Sequence, residues 1–124
     1  MVIGYHAIFC AYGFWLPNDP RGSWSEFIGS WELYKFGDAT KVTTTRSLAA
    51  VEHDREARLA AKRALKYPPV LFNGVQARAI ARGFADYIDR TDLTVHATAI
   101  MPDHVHIVFA RHRLKAESIV NQLK

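Results

Sequence analysis

Ile100-Met101-Pro102-Asp103-His104-Val105-His106-Ile107-Val108-Phe109 is the stretch that decides how the rest of the chain is read. Pro102-Asp103 is a turn signal between two apolar runs, so the segment predicts a hairpin whose second arm begins at His104. Side chains alternate faces along a strand. His104 and His106 therefore share one face, while Val105, Ile107 and Phe109 share the other. The apolar trio supplies a face to bury, which leaves two imidazoles side by side on the open face. Three roles fit such a pair: joint ligands of one metal ion, a general acid and base, or two polar surface residues on an amphipathic strand. Two imidazoles do not complete a site for a divalent cation. A further ligand would have to come from His6, Asn121, Gln122 or a segment outside the sequence.

The composition around this hairpin is that of one ordinary globular domain. The 124 residues are 49% hydrophobic and 23% charged, enough apolar material for a single core. A formal charge of +4 is compatible with a nucleic-acid partner but does not by itself identify one. The single cysteine, Cys10, excludes an internal disulfide and a cysteine-based zinc site, and it reads as a small buried apolar residue. The N-terminus lacks the pattern of a signal peptide, and no apolar run is long enough to cross a bilayer. A soluble cytoplasmic protein without a membrane partner is the expectation.

Outward from the hairpin, Leu93 to Met101 reads as its first arm. Upstream of it, Asn73-Gly74-Val75-Gln76 predicts a helix N-terminus, with Asn73 as the cap and Gln76 reaching back in a capping box. That helix runs to about Arg90, and Val75, Ala79, Ile80, Phe84, Tyr87 and Ile88 form its apolar stripe. Downstream, Arg111, His112, Arg113 and Lys115 make a short basic cluster. A second helix then starts, with Ala116, Ile119, Val120 and Leu123 on its apolar face, and the sequence stops at Lys124 inside it, as a fragment would.

The N-terminal half opens on a strand from Val2 to Tyr12. Tyr5, Ala7, Phe9 and Ala11 lie on one face and His6, Ile8, Cys10 and Tyr12 on the other, so apolar residues on both faces predict a strand inside a sheet. The Gly13–Asp38 stretch mixes two prolines and turn residues with Trp15, Trp24 and Trp31, an ordered loop whose tryptophans are too apolar to hang free. Such a loop could cap the core, or Arg21 and the tryptophans could form a groove for unstacked bases. Ala39 to Ser47 reads as an edge strand or linker. Glu52 to Tyr67 reads as a helix stopped by Pro68-Pro69, with an acidic start, a basic end and a thin stripe of Leu59 and Leu65. Its Arg58, Lys62, Arg63 and Lys66 are either a solvated face or phosphate contacts.

The stretch Met101-Pro102-Asp103-His104-Val105-His106-Ile107-Val108-Phe109 resembles the signature strand of the HUH single-tyrosine transposases, in which two histidines flank a hydrophobic residue after a Met-Pro-Asn/Asp-His turn. The opening Tyr5-His6 strand, the Ala97-Thr98-Ala99-Ile100 segment and the helix closing on Gln122-Leu123-Lys124 are also similar to that family. Within it the sequence most resembles the REP-associated tyrosine transposases, relatives of the insertion-sequence transposases that act on repetitive extragenic palindromes. The likeness covers the first strand and about residues 73 to 124. It implies an α+β, ferredoxin-like split βαββαβ antiparallel sheet with helices on one face. Residues 1–124 would form one HUH domain carrying a long insertion at about 14–72, truncated before its last strand and its nucleophile helix.

What the resemblance implies about function is a metal-dependent single-stranded DNA endonuclease and strand transferase. His104 and His106 would hold Mg²⁺ or Mn²⁺. A tyrosine beyond Lys124 would attack the phosphate and give a 5′-phosphotyrosine intermediate, a covalent step that conserves bond energy for rejoining. Arg21, Arg111, Arg113 and Lys115 are the expected contacts to single-stranded or hairpin DNA, and the family's monomers and dimers make a homodimer one expected assembly. The alternative is a catalytically inactive DNA- or RNA-binding domain on the same fold, because none of Tyr5, Tyr12, Tyr34, Tyr67 and Tyr87 occupies the nucleophile's place. A metal-dependent hydrolase unrelated to nucleic acid is disfavoured by the lack of further acidic residues and histidines near the hairpin.

Overall fold

A computed structural model describes residues 1–20, 27–39 and 51–124. In chain order the elements are strand β1 (Gly4–Cys10), helices α1 (Trp31–Tyr34), α2 (Arg55–Arg63) and α3 (Gly74–Thr91), strands β2 (Val95–Ile100) and β3 (His104–Ala110), and helix α4 (Ala116–Leu123). The described residues thus form an α+β structure with a three-stranded antiparallel sheet and four helices. No helix among them is long and apolar enough to cross a membrane. The chain divides into two compact units, Met1–Ala11 with Val70–Lys124, and Tyr12–Pro69. The segment read as an insertion, 14–72, falls largely in the second. Arg21, Trp24 and most of the 39–47 segment lie outside the described residues.

In the first unit β3 is the middle strand, with β1 on one side and β2 on the other, both antiparallel to it. Its burial alternates strictly: Val105, Ile107 and Phe109 are buried and the residues between them half-buried. Helices α3 and α4 cover the apolar face. Phe84 and Tyr87 of α3, Ile119 and Val120 of α4, and Ala7 and Phe9 of β1 join the trio in one core. The Phe9 and Phe84 rings meet edge to face at 6.0 Å. Because both helices pack on that side, the other face of the sheet carries the histidines.

The capping box forms as read. Asn73 Oδ1 accepts from the Gln76 amide and Gln76 Oε1 accepts from the Asn73 amide, each at 2.9 Å. Asp92, in the left-handed conformation at φ 60°, ends α3 by donating its amide to the Ile88 carbonyl. The apolar stripe of α3 is shorter than the sequence suggests. Val75 is 80% exposed, and the helix begins to face the sheet only from Ile80 onward.

The expectations for β1 and for Trp31 are corrected. Strand β1, expected inside a sheet, lies at an edge of the sheet among the described residues, and Ile8, on the histidine face, is exposed. Trp31, expected to be covered, is 82% exposed, because it sits on the single-turn helix α1, none of whose residues is buried.

The second unit is organised around α2. Asp54 caps it by accepting from the Ala57 amide at 2.9 Å, so the helix starts three residues later than Glu52 and ends before Tyr67. Leu59 points out and Ala61 is the residue it buries, so the predicted leucine stripe is replaced by a smaller contact. Arg58 lies 3.9 Å from the buried Asp19 carboxylate, which takes it out of the basic cluster, whereas Lys62, Arg63 and Lys66 are exposed. Gly13 has φ +88°, and a Cβ there would meet Pro69 at 2.9 Å, so both conformation and space require glycine.

Candidate functional site

The turn that presents the histidines is held by backbone hydrogen bonds from three directions. The Met101 amide donates to the His104 carbonyl at 2.8 Å, closing the hairpin. The Ala11 amide donates to the Asp103 carbonyl at 2.9 Å, and the Phe72 amide to the Pro102 carbonyl at 2.6 Å. Asp103 and His104 are therefore displayed by a braced loop rather than a loose tip.

The register then decides which side chains meet. His106 lies opposite Ile8 and His104 opposite Cys10, which puts Cys10, half-buried, on the histidine face rather than in the core. His6 lies opposite Val108, so it reaches His106 from the diagonal position, a distance long side chains can span. His6 Nε2 is 3.0 Å from His106 Nδ1. His104 Nε2 is 3.0 Å from His106 Nε2, with the two ring planes at 68°. Behind His104, its Nδ1 is 2.7 Å from Asp103 Oδ1.

These contacts make a chain, His6–His106–His104–Asp103, whose hydrogen-bond direction follows by elimination. An ionised carboxylate can only accept, so His104 carries its proton on Nδ1 and donates to Asp103. With each imidazole neutral, His104 Nε2 then accepts from His106 Nε2–H, and His106 Nδ1 accepts from His6 Nε2–H. Burial, with the neighbouring His104 and His6 rings, holds the His106 pKa below the ordinary imidazole value. The neutral form that the chain requires is thereby favoured.

His104 and His106 are the residues that would hold an ion through their Nε2 atoms, and a carboxylate behind a ligating histidine is the usual means of fixing its tautomer. His6, one of the residues considered as a further ligand, is on the opposite nitrogen of His106 and does not join the Nε2 pair. Asn121 and Gln122 sit on α4, which packs by Ile119 and Val120 into the core on the other side of the sheet. Among the described residues no group of three or more His, Cys, Asp or Glu side chains is placed to hold a metal ion. The residues present thus bring two imidazole nitrogens together with no third ligand among the described residues.

The basic residues are placed elsewhere. Arg111 and Arg113, both exposed, line an open cleft with Thr91, Asp92 and His112, and the exposed Lys115 caps α4. At about 3.3 Å per strand residue, Arg111 lies roughly 17 Å along the chain from His106. The structure does not bring these cations to the histidines; it puts them at the opposite end of β3. His112 has a structural part, with Nε2 donating to the Thr91 carbonyl at 3.0 Å and Nδ1 accepting from the Leu114 amide at 3.2 Å. Both tyrosines of the sheet unit belong to its apolar side. Tyr87 is buried in the core, and the Tyr5 ring packs on Phe109 at 5.6 Å.

Asp103 is the site residue that the sequence reading passed over, as a turn former only. Its signal is its position directly before a histidine, where its carboxylate reaches Nδ1 of the next side chain. No protein-family model matches the chain, and neither a curated protein nor a solved structure matches it.

Proposed function

We propose that the histidine face binds Mg²⁺ or Mn²⁺ and serves a single-stranded DNA endonuclease and strand transferase of the HUH transposase type. The observation that carries this reading is the Nε2 pair of His104 and His106 at 3.0 Å, backed by Asp103. The topology supports it as well. A middle strand antiparallel to both neighbours, with α3 and α4 packed on the same face, is how the first βαββ part of a ferredoxin-like split βαββαβ sheet is built.

His104 and His106 would hold the cation, which when bound polarises a phosphoryl oxygen and offsets charge developing on it. Asp103 keeps His104 in the tautomer that offers Nε2. Arg111, Arg113 and Lys115 would contact phosphates of single-stranded or hairpin DNA farther along the strand, positioning it without reading its sequence. Strand transfer through a 5′-phosphotyrosine would require a tyrosine from beyond Lys124.

A second reading, a DNA- or RNA-binding domain without nuclease activity, is favoured by one observation: Tyr5 and Tyr87 both lie on the apolar side of the sheet. The two separate on incubation with a single-stranded hairpin oligonucleotide and Mn²⁺. Cleavage or a covalent adduct that disappears in His106→Ala supports the nuclease. Binding without either product selects the second reading, and absence of binding overturns both.

A further inference from the structure

In the second unit, two tyrosines from opposite ends of its chain segment stand together at the surface. Tyr12 and Tyr67 are 43% and 59% exposed, and their rings meet edge to face with centroids 6.3 Å apart. The pair is held in place by the backbone around it. The Tyr67 amide donates to the Tyr12 hydroxyl at 3.4 Å. Next to Tyr12, the chain at Gly13 passes so close to Pro69 that a Cβ there would meet it at 2.9 Å. Two large rings are thus fixed in the open, with apolar area that a partner can cover.

Charge tells which partner. The Lys66 ammonium sits over the Tyr67 ring, 5.4 Å from its centroid. Lys62 and Arg63, both exposed, end α2 just before it, and the sequence from Ala57 to Pro69 has no acidic residue. Glu32 lies within electrostatic reach of Lys66 and offsets part of this charge. Fixed aromatic rings beside cations match an unpaired nucleotide, whose base stacks on a ring while its phosphate meets the ammonium. A duplex keeps its base faces stacked inside, so such a surface selects single strands.

Resting on the single-stranded DNA reading above, and not on its metal site, we infer that Tyr12 and Tyr67 form a stacking platform for an unpaired base, with Lys66 on the adjoining phosphate. The second unit thereby has a function of its own: it holds unpaired strand.

Titrating the full chain, in chelator, with an oligothymidylate and with an abasic strand of equal length tests this. The abasic strand keeps the phosphates and lacks the bases. The wild type binds the oligothymidylate more tightly. Tyr67→Ala weakens that binding about 5- to 150-fold, the range for one lost base stack, and leaves affinity for the abasic strand unchanged. Tyr67→Phe keeps the ring and binds as the wild type does. Lys66→Ala lowers the slope of log affinity against log salt by about 0.7, one phosphate contact on a single strand. The inference is overturned if the wild type binds both strands alike, if folded Tyr67→Ala keeps the wild-type preference, or if Lys66→Ala leaves the salt slope as it was. A folded wild type that binds neither strand removes the DNA reading itself, and the platform with it.

Discussion

Replacing Asp103 by asparagine keeps the shape of the hairpin turn and removes the charge behind His104. The bond it disturbs is short, 2.7 Å from Oδ1 to His104 Nδ1, and charge-assisted. Its effect is to keep the proton on Nδ1 and direct Nε2 toward His106. An asparagine can turn its NH₂ to the ring as readily as its oxygen, so the tautomer is no longer enforced. Losing such an outer-shell partner costs about 10- to 100-fold in metal affinity. The Asp103 side chain is 38% exposed, so water screens its charge and the lower end applies: about tenfold, or ~1.4 kcal/mol. A Mn²⁺ titration at neutral pH, with free ion followed by electron paramagnetic resonance, reads this directly, and a thermal melt checks that the variant is folded. An unchanged Mn²⁺ affinity in Asp103→Asn, alongside lost binding in His106→Ala, would refute the coupling and leave Asp103 as a turn residue only.

Three further outcomes follow from the same structure. Asn73→Ala deletes half of the capping box and should cost about 1 kcal/mol, lowering the urea midpoint; an unmoved midpoint would contradict the cap. Because the folded pKa of His106 lies below its unfolded value, the unfolded chain binds the proton more readily between about 6.5 and that folded value. Stability in chelator should therefore fall as pH drops through this window, and less steeply in His106→Gln; identical pH profiles would contradict the assignment. Replacing Arg111, Arg113 and Lys115 together by alanine should flatten the dependence of log DNA affinity on log salt by about 2, three phosphate contacts at about 0.7 each on single strands. A slope equal to that of the wild type would remove these residues from the interface.

Much of the sheet unit was legible because local pattern and tertiary packing agree there. The Pro102-Asp103 turn and the alternation after it place β3 at His104–Ala110, and the Asn73 and Gln76 pair marks the start of α3. Alternation also assigns the faces of β3 correctly, since Ile107 and Phe109 are fully buried. What a linear pattern cannot contain is register. That His6 meets Nδ1 of His106, rather than adding a third nitrogen to the Nε2 pair, depends on Ile8 pairing with His106 across two strands distant in sequence. Among the described residues β1 lies at the edge of the sheet, and its exposed Ile8 and half-buried Cys10 look like interior residues when only hydrophobicity is counted. Trp31 departs from its pattern for the same reason: its size argues for burial, but a one-turn helix supplies little to bury it.

The number of Mn²⁺ ions bound per chain tests the central claim most directly. The wild type should bind one ion, and His104→Ala and His106→Ala, each folded by circular dichroism, should each lose it. Binding that survives both substitutions, or a folded wild type that binds none, would contradict the account.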